Sequence, residues 1–378
     1  MRTITFSGDS LSAVAKQIDQ ILQNGFQPTL AIVFSSVVQK YQDLTALLDQ
    51  HGVDVIGATT AGEICGDETL EFSISGMLLD INKSYYRLHK EERKDRTTYQ
   101  IAQDSAIFAK SQFEDFGMIT VSGGLNTDGE EIIRGVKDIA GEDVKLYGGL
   151  AGDDFKMEDS FVFSNHWNTN DGILSLILDQ KKISLEGIAV NGWQAVGVAK
   201  TVTHAEGNIV YSIDDEPALD VFIKYFGLSS SLDARKEVAS TLGVQFPLQV
   251  QRMDNTSVIR APLMGNNEDG SLVFAGGIPQ GAKVKFSIPP SFDIIEQVIE
   301  DSQHLKNSVP DADGLILFSC KARQLALGPM IEEEISGMRS LWDSPMVGFF
   351  TYGEIGKSKK GKCDFHNETC SLVILKEI

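Results

Sequence analysis

Cysteine is scarce in this 378-residue chain. The four thiols, Cys65, Cys320, Cys363 and Cys370, are scattered and form no CxxC pair. That excludes a disulfide framework and a paired zinc site, and reduced thiols are expected. The absence of CxxCH excludes covalently attached haem. Positive charge is short as well: 33 Lys and Arg stand against 53 Asp and Glu, a net charge of −20. Nucleic acid and anionic membrane surfaces, which are bound through Lys and Arg, are therefore not expected partners. No apolar run approaches the roughly 18 residues of a membrane helix. The opening residues lack the apolar stretch of a signal peptide, so a cytoplasmic location is expected. No GxxxxGK[ST], HExxH, GxSxG or Asp-rich calcium loop occurs.

What is present is an ordinary globular composition, 42% hydrophobic and 23% charged, long enough for two or three domains. Asp9-Ser10 caps a first helix marked by Leu11, Val14, Ile18 and Ile21. Leu30 to Phe34 then reads as a strand, Val37, Tyr41, Leu44 and Leu48 as a helical stripe, and Val53 to Ala58 as a second strand. Phe72 to Leu79 completes a β-α-β-β unit. The plan recurs from Gly117 to Leu178 and again from Leu315 to Leu375. Its loops recur too: Gly57-Ala-Thr-Thr-Ala-Gly-Glu-Ile64 and Gly348-Phe-Phe-Thr-Tyr-Gly-Glu-Ile355 agree at five of eight positions, with Leu150-Ala-Gly-Asp153 a weaker echo. Short strands with turn signals fill residues 186–212 and 245–288. The expected fold is therefore α/β: mixed parallel and antiparallel sheets built from repeated β-α-β-β units, packed together with helices outside. A boundary before Asp214 divides it into regions 1–212 and 213–378.

Loops leaving the carboxyl ends of parallel strands share one sheet edge, where ligands of such folds bind. This groups Ser35 with Thr60, Gly62 and Glu63, and Cys320 with Thr351, Tyr352, Gly353 and Glu354. The two Glu side chains serve either a ligand or the backbone N–H groups of their own turns. Arg323 either pairs with Glu354, clamps a ligand carboxylate or makes a structural ion pair. Cys320, beside Lys321 at a helix start, is either a nucleophile or a buried small apolar group. Of the six histidines, His166, His204 and His366 sit where an axial haem ligand is conceivable, and His366 enters an apolar terminal strand. The run Lys357-Ser-Lys-Lys-Gly-Lys362 is a solvated turn or a partner contact.

The stretch Gly148-Gly-Leu-Ala-Gly-Asp153, the run Ile316-Leu-Phe-Ser-Cys-Lys-Ala-Arg323, the octamer ending at Ile355, and His366-Asn-Glu-Thr369 together resemble the FIST sensory proteins, from about residue 28 to 376. The resemblance implies an intracellular, non-enzymatic input module with FIST N-terminal and C-terminal regions. Such a module binds a small, amino-acid-like ligand and acts in trans on a histidine kinase, a cyclic-di-GMP enzyme or a chemotaxis receptor. It adds Gly152, Asp153 and Asn367 to the candidate ligand residues. One branch resembles haem-dependent nitric-oxide sensors, which makes haem a possible cofactor and His366 its candidate ligand. A mid-chain Cys common in the family is replaced here by Trp193 after Gly192. An enzyme using Cys320 is the reading from a different class.

Overall fold

The computed structural model describes residues 1–228, 243–252, 256–288, 291–359 and 362–378. Lys360 and Gly361 of the basic run lie outside them. The chain begins β1 (Arg2–Gly8), α1 (Leu11–Gln23), β2 (Leu30–Ser35), α2 (Tyr41–Gln50), β3 (Asp54–Thr59), a hairpin of β4 (Glu63–Cys65) and β5 (Glu68–Leu70), then β6 (Ile74–Asp80). The crossover through α2 makes β2 and β3 parallel, while β6 runs antiparallel to β2 and β1 antiparallel to β6.

The order repeats as β7 (Tyr86–Glu92), α3 (Thr98–Gln112), β8 (Phe116–Ser122), α4 (Gly129–Ala140), β9 (Lys145–Leu150), the hairpin β10 (Val162–Ser164) and β11 (Trp167–Thr169), and β12 (Gly172–Asp179). The pairings are the same: β8 with β9 parallel, β12 antiparallel to β8 and to β7. A third strand set opens with β13 (Ile183–Val190) and is interrupted by an insertion. The insertion holds β14 (Ala195–Glu206), β15 (Ile209–Ile213), β16 (Glu216–Pro217), α5 (Ala218–Phe226), β17 (Leu248–Gln251), β18 (Ser257–Arg260), β19 (Pro262–Gly265), β20 (Leu272–Phe274) and β21 (Lys283–Ser287). The set resumes with α6 (Phe292–Ser308), β22 (Gly314–Cys320), α7 (Lys321–Leu327), α8 (Met330–Ser340), β23 (Met346–Thr351), the hairpin β24 (Glu354–Lys357) and β25 (Cys363–His366), and β26 (Cys370–Glu377). Again β22 and β23 are parallel, with β26 antiparallel to β22 and to β13.

Each of the three sets lends its hairpin to another set. β4 pairs with β23, β10 with β3 and β24 with β9. The exchange covers the open edge that each parallel pair would otherwise present to solvent. Among the described residues three six-stranded sheets result, and the insertion forms a separate antiparallel sheet. Within it β14 and β15, which precede Asp214, pair with β21 and β20, which follow it.

The central strands are apolar on both faces, and alternation decides where each side chain goes. Ile32 and Phe34 of β2, Ile119 and Val121 of β8, and Ile316 and Phe318 of β22 share one core between the sheets. There Phe34 packs 4.6 Å from Phe349, ring centre to ring centre. The intervening residues face helices: Ala31 and Val33 pack with Val14 and Leu44, and Leu315 and Leu317 pack with Ile331 and Ile335. Local signals hold these helices in place. Ser10 caps α1, Thr97 and Gln100 form a capping box on α3, and Asp128 accepts the N–H groups of Glu130 and Glu131 at the start of α4.

Candidate functional site

The carboxyl ends of the three parallel pairs converge, and a cyclic set of backbone bonds ties them. Ala61 N–H donates to the Phe350 carbonyl (3.0 Å), Gly152 N–H to that of Thr59 (2.9 Å) and Tyr352 N–H to that of Leu150 (3.1 Å). Ala61, Gly152 and Tyr352 hold corresponding places in the three loops. The close approach needs a residue without a side chain at Gly152, where a Cβ would lie 2.6 Å from the Ala61 nitrogen and 2.8 Å from the Thr60 carbonyl carbon. Gly152→Val should therefore lower stability by about 1–3 kcal/mol. Gly277→Ala, whose nearest neighbour would be at 3.7 Å, should be near neutral; paired calorimetric melting curves check both.

The repeated octamer places its two acids alike. The Thr60 hydroxyl donates to one Glu63 oxygen, and the Ser73 hydroxyl (2.6 Å) and N–H (3.0 Å) donate to the other. The Thr351 hydroxyl donates to one Glu354 oxygen and the Thr369 hydroxyl to the other, at 2.7 Å. Both carboxyls are fully buried. Burial pushes Glu63 up to about 7, against the opposing pull of its hydrogen bonds, with Asp154 adding to the rise. Burial likewise pushes Glu354 up to about 8. In the second loop Asp153 stays committed to backbone, accepting N–H groups from Met157, Glu158 and Asp159, and also the Tyr352 hydroxyl.

Beside these loops lies a cavity of about 430 Å³. Cys320, Thr351, Tyr352 and Asn367 line it on one side, Gly124 and Asp128 on another, and Ala261, Asn208 and Phe274 from the insertion on a third. Asn367 is buried, and among the described residues its amide nitrogen has no hydrogen-bond partner. A buried donor of that kind is costly unless a ligand or water satisfies it. Phe155, Met157 and Leu263 also line the cavity and are 53%, 51% and 45% exposed, an apolar rim shared between the second unit and the insertion. The insertion is held over the cavity by Arg260, whose buried guanidinium donates to the Phe365 carbonyl (3.1 Å) and contacts Glu130 of α4. Arg252 bridges the same Glu130 (2.8 Å) and Asp364 (3.0 Å).

Several residues picked from sequence lie elsewhere. Ser35 is buried and its hydroxyl donates to the Ser36 carbonyl. Gly62 and Gly353 are packing positions against the Phe350 and Phe365 rings. Arg323 pairs with Glu334 of α8, not with Glu354, and its remaining donors meet the carbonyls of Asn191 (2.7 Å) and Glu368 (3.1 Å). Both members of the pair are fully buried, so the structural ion pair accounts for Arg323. Cys320 is no ready nucleophile: burial, then Glu354 and Glu368, push its thiol well above the ordinary value, and only the thiolate attacks.

His366 faces away from the cavity, because Phe365 and Asn367 alternate with it along the strand. Its Nε2–H donates to the Gly356 carbonyl at 3.2 Å, and burial lowers its pKa, which favours the neutral ring. The space it borders carries Lys137, Arg252, Lys283, Lys362, Glu142 and Asp364; its apolar lining is a small patch of Val250, Val258, Pro279 and Ala282, with no Phe, Tyr or Trp. These residues do not fit the apolar faces of a porphyrin. His166 is exposed beside Asp49, and His204 stacks on Tyr211. Among the described residues no group of three or more His, Cys, Asp or Glu side chains is placed to hold a metal ion.

Sequence reasoning missed the insertion wall and Lys321, which also lines the cavity. The turn signals of the 186–212 stretch include Gly207-Asn208, but nothing local tells that distant turns meet.

Two family models match the chain. The FIST N domain matches residues 29–216 and the FIST C domain matches residues 218–357. The chain belongs to the FIST family. FIST domains are sensory domains of signal transduction. None of the curated proteins matches the chain. In this FIST protein the junction between the two matched regions falls at β16, inside the insertion, so the cavity draws its walls from both regions. Among the described residues no helix is long and apolar enough to cross a membrane.

Proposed function

We propose that this FIST protein is a non-catalytic sensor whose small-molecule ligand occupies the cavity between the converging loops and the insertion. The observation that carries the reading is the unsatisfied amide nitrogen of buried Asn367 on the wall of that cavity. A ligand oxygen accepts this donor, while an apolar body lies against Phe365, Leu150 and the rim residues Phe155, Met157 and Leu263. The volume suits an amino-acid-like molecule. Because one wall belongs to the insertion, a ligand that touches both walls favours one placement of the insertion over others. That gives the signal a mechanical form for a partner in trans: a histidine kinase, a cyclic-di-GMP enzyme or a chemoreceptor, in the cytoplasm.

Thermal melting in the presence of the common amino acids and related carboxylates tests this. A compound that binds the folded state raises the melting point by mass action, by about 2.7 kcal/mol of stability at a hundredfold excess over Kd. Asn367→Leu should abolish the rise while leaving the unliganded melting point close to wild type. An equal rise in Asn367→Leu would remove the cavity as the site. A Soret band after reconstitution with haem, lost in His366→Ala, would favour the haem-based nitric-oxide sensor instead.

A further inference from the structure

We propose that a second cavity, on the opposite face of β25, is a binding site for a phosphate-bearing small molecule. Strand alternation places Phe365 and Asn367 on the first cavity, and Asp364 and His366 on a separate space of about 630 Å³. Three distant parts of the chain bring cations to it. Lys137 comes from α4, Arg252 and Lys283 from the insertion, and Lys362 from the basic run before β25.

Three acids offset them in part, one of them Glu130, which Arg252 shares with Arg260. Glu142 lies 3.3 Å from the Lys137 ammonium and 3.8 Å from that of Lys362, and Asp364 lies 3.0 Å from the Arg252 guanidinium. Lys283 donates to the Thr201 hydroxyl at 2.6 Å, and among the described residues no carboxylate is within ion-pair distance of it. Among the described residues the buried Arg252 Nε–H has no partner. With Glu130 and the Arg260 that shares it counted, five cations face three acids among the described residues, which leaves two positive charges in excess in a chain whose net charge is −20.

Like charges gathered from three elements repel one another unless an anion lies between them. A phosphate dianion or a diphosphate supplies the missing charge, and Lys side chains suit it as point charges. Val250, Val258 and Pro279 add an apolar floor, and the volume exceeds what a bare phosphate fills. The ligand is therefore an organic phosphate. The site gives the basic run Lys357–Lys362 a role through Lys362 and Ser358, which line the cavity.

Isothermal titration of the full chain with pyrophosphate and with ADP as probes tests the assignment, with sulfate at matched ionic strength as control. Saturable one-to-one binding is expected, weakened by added salt. It should fall at least about tenfold in the Lys137→Gln/Lys362→Gln double variant and stay unchanged in Lys110→Gln, on the exposed side of α3. ADP should bind more tightly than pyrophosphate; equal or weaker binding would overturn the organic assignment. No saturable binding at millimolar concentration, the same affinity in the double variant, or an equal response to sulfate would each overturn the site.

Discussion

Arg323→Ala should cost about 3–5 kcal/mol, the loss expected when one member of a buried ion pair is removed and its partner stays behind. Glu334 would be left as a carboxylate with no exposed surface, the Asn191 carbonyl would lose its Arg323 donor, and the Glu368 carbonyl would keep only the Trp193 indole N–H. These contacts join α7, α8, the end of β13 and the turn before β26, so the loss should spread to the Cys320 wall of the cavity. In calorimetry the melting point should fall by on the order of 5–10 °C. The double variant Arg323→Met/Glu334→Leu should recover most of it, since apolar groups of similar volume replace such pairs at little cost. If the single variant melts within a degree of wild type, the ion pair does not hold this end of the fold together.

The second large effect is on pH dependence. Glu63 and Glu354 bind their protons more tightly in the folded chain, with pKa values near 7 and 8, than in the unfolded chain, near the ordinary 4.5. Between these limits the folded state holds protons that the unfolded state has released, so stability falls as pH rises. The favourable contribution is whole below about pH 4.5 and lost through pH 7 for Glu63 and pH 8 for Glu354. Its size is on the order of 3 kcal/mol for Glu63 and 5 for Glu354. Melting points measured from pH 5 to 9 should decline, and Glu63→Gln/Glu354→Gln should flatten the decline while keeping the Thr60 and Thr351 contacts. A slope unchanged in the double variant would show that other groups carry the effect.

These two expectations mark where sequence reading succeeds and stops. The octamer already placed Glu63 and Glu354 in equivalent turns, because a five-of-eight match carries its hydrogen bonds with it. The strand, helix, strand succession was legible for the same local reason: apolar runs such as Leu30–Phe34 and Leu315–Phe318 are bounded by their own turns and stripes. The helix predicted from Val37 begins later, at Tyr41, with Lys40 at its start making no side-chain cap.

Pairing between sets was not legible. β4, β10 and β24 are three or four residues long, and which open edge they cover is decided by how whole sheets pack. The same limit hid the partner of Arg323. The sheet-edge argument pointed to Glu354, whereas the break at Gly328-Pro329 brings α8 back over α7 and presents Glu334. For His366 the strand assignment was right, but the relevant quantity was its parity: it alternates with Phe365 and Asn367 and so faces the other way.

The claim that ligand occupies the loop-edge cavity is tested most directly by retention. The purified chain is dialysed against a mixture of cellular small molecules, and what stays bound is identified by mass spectrometry. Wild type is compared with Ala322→Phe, which fills the cavity from its Cys320 wall, and with Asn367→Leu, which removes its unsatisfied donor. The account predicts at least one small molecule held one-to-one by wild type and absent from both variants. The same set of molecules retained by all three proteins would contradict it.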